Sequence, residues 1–136
     1  MNKNPKTNFL FTLILATSLG SSCSSKTEEL SLTESCAKLD GIATKLAEGI
    51  GKAQDEPTKA KDHLNTSRDA LKSLISINSS DQEFISVAAD YSVKLNAFLD
   101  ALEGAINNGS GLIDPTVTPS REAARTAGEK LDAICK

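Results

Sequence analysis

From Leu32 onward the apolar positions of the chain recur in steps of four and three. The first run reads Leu32, Cys36, Leu39, Ala43, Leu46, Ile50 and Ala53, with Ile42 widening it. Such steps place the positions on one stripe of an α-helix. Ser31-Leu32-Thr33-Glu34 opens the run as a capping box, the Ser31 hydroxyl covering a free amide and Glu34 reaching back. Glu34 with Lys38, and Glu48 with Lys52, pair at i,i+4 spacing on the wet face. Gly41, Gly49 and Gly51 each weaken such a helix by about 1 kcal/mol. They mark either a close helix–helix approach or fraying near its end.

Asp55-Glu56-Pro57 stops this helix and starts a second, since proline is tolerated in a first turn. The second stripe is Ala60, Leu64, Ser67, Leu71 and Leu74, with Ile75 and Ile77 beside it. Asn78-Ser79-Ser80 breaks the pattern, and Ser80-Asp81-Gln82-Glu83 reads as another capping box. The third stripe is the most regular: Phe84, Ala88, Tyr91, Leu95, Phe98, Leu102 and Ala105, thickened by Ile85, Val87, Leu99 and Ile106. Asn107 to Gly111 end it with residues that tolerate positive φ. Thr118-Pro119 reads as an N-cap and first-turn proline for a fourth helix. Its stripe, Ala124, Ala127, Leu131 and Ile134, is the narrowest.

Amphipathic helices with short connections bury their stripes against antiparallel neighbours. The expected fold is all-α: an up-down-up-down antiparallel four-helix bundle over residues 31–136. An open array of helix pairs, or helices that complete their core in an oligomer, is the alternative.

The segment before Ser31 has a different character. Lys3 and Lys6 precede an apolar run, Phe9 to Leu19, that stops at small residues and Cys23. That is the layout of a secretory signal, and the run falls short of the about 20 apolar residues that span a bilayer. Leu19-Gly20-Ser21-Ser22-Cys23 resembles the lipobox of bacterial lipoproteins, with small residues at −1 and −2 and Gly20 at −3, where that class usually has Leu. The resemblance implies cleavage after residue 22, a lipid on the Cys23 sulfur and a membrane anchor. Ser24 would favour the outer membrane under a Gram-negative sorting rule. The other reading is plain secretion, with cleavage near Ser18 or Gly20. Residues 1–22 are therefore expected to be a signal peptide. Residues 23–30, polar through Glu29, are expected to be a flexible tether.

Cleavage changes the charge balance. The chain has 15 basic and 18 acidic residues, and the signal removes Lys3 and Lys6 but no acid, so a net −3 becomes −5. Both signs are interspersed. A nucleic-acid partner would need clustered Lys and Arg, and none is expected. With Cys23 lipidated, Cys36 and Cys135 remain as a pair. They lie near the start of the first helix and at the end of the fourth, which the bundle topology brings to one end. In an oxidising compartment a disulfide is expected there.

Candidate chemistry is sparse. His63 is the only histidine, and it stands beside the second stripe rather than in a Glu-x-x-His or His-x-x-x-His spacing. The architecture looks like that of periplasmic haem-binding four-helix proteins. Those use His and Met axial ligands or a C-x-x-C-H attachment, and the mature chain has no methionine and no such attachment. No metal, cofactor or catalytic residue is expected, and no carboxylate recurs on the stripes to form an acid–base pair. Tyr91 and Phe98 read as core fillers against the alanines of the fourth helix. The expected function is non-enzymatic: a lipid-anchored helical bundle with a binding or structural role toward an envelope protein. The alternative is a carrier of a small apolar ligand in a cavity lined by Tyr91, Phe98 and those alanines.

Overall fold

The computed structural model describes residues 28–136, so the expected signal peptide, Cys23 and the first part of the expected tether lie outside the described residues. Four α-helices follow one another: α1 (Leu32–Asp55), α2 (Ala60–Ile75), α3 (Gln82–Asn107) and α4 (Thr118–Ile134). They form an all-α four-helix bundle closed at one end by a disulfide. No helix among the described residues is long and apolar enough to cross a membrane.

Local sequence sets the helix ends. The capping box at Ser31 forms in full: the Glu34 N–H donates to Ser31 Oγ at 3.3 Å, and the Ser31 N–H donates to Glu34 Oε2 at 2.8 Å. A 3-10 turn, Pro57–Lys59, joins α1 to α2. After α3, Gly109 and Gly111 both take positive φ, at 82° and 57°, a region open to glycine at no steric cost. Two expected caps differ. Helix α3 is capped by Asp81, whose carboxylate accepts the Phe84 N–H at 2.7 Å; Ser80 instead bonds back to Leu30. Helix α4 takes Val117 as its N-cap, with no side-chain cap, so Thr118 is already helical. Asp114 drives this difference. It accepts from the Thr116 N–H at 2.9 Å, its carbonyl accepts the Val117 N–H at 3.0 Å, and the turn delivers Val117 fully buried into the core.

The core line of α1 also differs from the expected stripe. Ser35, Ile42, Leu46, Gly49 and Ala53 are buried, whereas Ala43 is exposed and Leu32, Cys36, Leu39 and Ile50 are half-buried. The cause is contact with α2 at Gly49. A Cβ there would lie 2.7 Å from the His63 carbonyl oxygen. That close approach turns Gly49 toward α2, while Ser35 faces Ser79 beyond the end of α2 and Ala43 is turned out. Gly41 and Gly51 face open space. On α2 the expected stripe is buried as read, joined by Ala70.

Helix α3 supplies the largest side chains of the core, with Phe84, Leu95, Phe98, Leu99, Leu102 and Ile106 buried. They meet Leu64, Leu71 and Leu74 of α2 and Leu131 of α4 in one cluster. The closest packing is α1 on α2 and α3 on α4, with α2 and α3 joining the two hairpins. Helices α1 and α4 approach little along their length. Their connection is covalent, at one end.

Candidate functional site

That end holds the two cysteines the sequence pairs. Cys36 stands in the second turn of α1, and Cys135 caps α4, its N–H donating to the Asp132 carbonyl. The two are joined by a disulfide with a Cα–Cα distance of 5.6 Å. Both residues are half-buried. A shallow pocket beside them, about 540 Å³, runs from Leu32 and Asp40 of α1 to Asp132 and Lys136.

The segment just before α1 meets the bundle at the same end. Leu30 forms an isolated parallel bridge with Ser79 in the α2–α3 loop. The Leu30 N–H donates to the Asn78 carbonyl, and the Ser80 N–H donates to the Leu30 carbonyl, each at 2.8 Å. Beneath this bridge lie two buried serines. Ser35 Oγ is 2.8 Å from Ser79 Oγ and 2.9 Å from the Ser31 carbonyl oxygen. The Asp81 N–H donates to Ser79 Oγ at 3.2 Å. One proton assignment satisfies every group: Asp81 N–H to Ser79, Ser79 O–H to Ser35, Ser35 O–H to the Ser31 carbonyl. Sequence reading missed both serines, because a serine inside a helix carries no signal of its own until its partner in a distant loop is known.

The remaining candidates are dispersed. Cys23 lies outside the described residues. His63 is half-buried on α2, with Nε2 3.5 Å from Glu56 Oε2 and without hydrogen-bond geometry. Among the described residues, no group of three or more His, Cys, Asp or Glu is placed to hold a metal ion. The Tyr91 ring lies on Gly128 of α4, where a Cβ would come within 3.1 Å of Cε2. The ring therefore occupies the space beside α4 that an apolar ligand would need, and burial raises its phenol pKa. Phe98 is buried in the core.

Electrostatic contacts are mostly local pairs on single helices. Arg68 is the exception. It reaches from α2 to Asp100 at 2.7 Å and Glu103 at 2.8 Å on α3. Burial opposes its charge, but the two carboxylates outweigh that and raise the guanidinium above its ordinary pKa. Arg68 forms one wall of a groove of about 420 Å³ between α2 and α3, with Asn65, Lys72, Ile75 and Asn96. Ser92 also lines it, its Oγ buried without a partner. A further pocket of about 270 Å³ sits at the opposite end of the bundle, among Pro57, Ile106, Leu112 and Ile113. No protein-family model, curated protein or solved structure matches this chain.

Proposed function

We propose that the chain is an exported lipoprotein. Residues 1–22 are its signal, Cys23 carries the lipid, and the bundle works on the cell envelope as a non-enzymatic binding or structural module. The observation that carries this reading is the Cys36–Cys135 disulfide. Disulfides persist in oxidising compartments and are rare in reducing ones. A bridge that closes the fold therefore supports export, in agreement with the signal-like run and the small residues before Cys23. The same pairing leaves Cys23, the third cysteine of the sequence, outside this bridge, which suits its acylation. Against the carrier alternative stands the Tyr91 ring, which packs directly on Gly128 of α4.

The test is the non-reduced intact mass of the mature protein from its native host, with membrane and soluble fractions measured separately. The reading expects residues 23–136 plus acyl-lipid, less two hydrogens, in the membrane fraction. An unlipidated soluble species removes the membrane anchor.

A further inference from the structure

We infer that the α2–α3 flank at the tethered end of the bundle is a membrane-contacting face, seated in the interfacial layer of a zwitterionic bilayer. This rests on the reading of Cys23 as the anchor. Among the described residues, four large apolar side chains are exposed: Ile75, Ile85, Val93 and Ile113. Three of them belong to this one flank. Ile85, Ala89 and Val93 follow one another at i, i+4 and i+8 along α3, a single helical face. Ile75, the last residue of α2, walls a small cleft with Ile85 and Ala89, which makes the patch continuous across the two helices. Ile75 and Val93 are 60% and 70% exposed, far from the burial that a packing role gives.

The position of the tether selects the occupant. Leu30 is held by backbone hydrogen bonds to Asn78 and Ser80, in the loop directly between Ile75 and Ile85. Leu30 lies seven positions after Cys23, and seven residue steps reach at most about 25 Å when fully extended. Val93 lies eight residues along α3 from Ile85, about 12 Å of helix. The whole patch is thus within reach of a bilayer that holds Cys23. Charges near the patch are mixed: Lys72 and Lys94 on the basic side, Asp69, Asp81, Glu83 and Asp90 on the acidic side. Attraction to anionic lipid is therefore absent as a driving force, and burial of apolar side chains at the headgroup–acyl boundary supplies it. The fourth exposed side chain, Ile113, lies at the far end of the bundle and serves as the internal control.

The sequence has no tryptophan, so Ile85→Trp, Val93→Trp and Ile113→Trp each introduce a single reporter at an exposed site. The mature chain, residues 23–136 with Cys36 and Cys135 bridged, is coupled through the Cys23 thiol to a maleimide lipid in phosphatidylcholine vesicles. This synthetic anchor makes the result independent of acylation in the host, which the mass measurement tests separately. The expected result is blue-shifted emission, and loss of intensity in brominated phosphatidylcholine, for tryptophan at positions 85 and 93 and not at 113. Unchanged emission at 85 and 93 overturns the inference and returns the patch to a protein partner. An equal shift at 113 overturns it as well, since the contact would then have no face.

Discussion

A Cβ on Gly49 would lie 2.7 Å from the His63 carbonyl oxygen, so α1 and α2 cross where α1 has no side chain. The obstructing atom is backbone and cannot rotate away. Substituting Gly49 by Ala should therefore force the helices apart, at a cost of about 1–3 kcal/mol for overpacking. Gly41 and Gly51 face open space. Their alanine variants should gain up to about 1 kcal/mol from helix propensity. Urea unfolding of the three variants checks the contrast; a stabilised Gly49→Ala would show that the crossing is looser than described.

Ser35 and Ser79 form a second coupled pair. Removing one hydroxyl leaves the other buried group short of a partner, and Ser35→Ala or Ser79→Ala should each cost about 1–3 kcal/mol. The double variant should cost less than the sum, because it removes both unsatisfied groups together. A double-mutant cycle in urea reads this coupling, and strict additivity would contradict it.

Loss of the disulfide should act chiefly on the seam between α1 and α4. The bridge spans 99 residues of sequence, and in the chain-entropy account a loop of that size is worth about 4–5 kcal/mol. Because α1 and α4 approach little elsewhere, the bridge is their main direct connection. The Cys36→Ser/Cys135→Ser variant should unfold at lower urea, and amide exchange should accelerate first in the opening turns of α1 and the closing turns of α4. Uniform acceleration across all four helices would contradict that localisation.

Acid should loosen the caps. The Ser31 hydroxyl and N–H hold Glu34 below its ordinary value of 4.5. Ser110 and Thr116 likewise hold Asp114 below its ordinary 3.8. A carboxyl depressed in the folded state contributes stability that is complete above its unfolded pKa and is lost as pH falls through the folded one. Stability should thus be level at neutral pH and decline below about pH 4. Glu34→Gln keeps an acceptor for the Ser31 N–H but does not titrate, so its decline should be shallower. Thermal unfolding across that range measures the difference.

How much of this was legible in the sequence depends on where each signal sits. The capping box at Ser31, the proline turn at Pro57 and the pairing of Cys36 with Cys135 are short-range or combinatorial signals, and the fold has all three. The core line of α1 is different. Ile42 and Ala43 are adjacent and both apolar, so the stripe has two equally regular readings, and only the packing of Gly49 on His63 selects between them. By its apolar character Ile85 reads as thickening the α3 stripe; the structure leaves it on the outer flank, 39% exposed. Val117 was hidden because Thr118-Pro119 carries the better capping letters. The Asp114 turn overrides them.

The bridge between Cys36 and Cys135 also turns residues 36–135, nearly the whole bundle, into a closed covalent ring. A single peptide cleavage between those cysteines releases nothing: the nicked pieces stay joined, and the arm before Cys36 still carries both. With Cys23 as the proposed anchor, shedding the bundle in an environment rich in proteases would take a cut in the arm before Cys36, two cuts within the ring, or reduction combined with a cut.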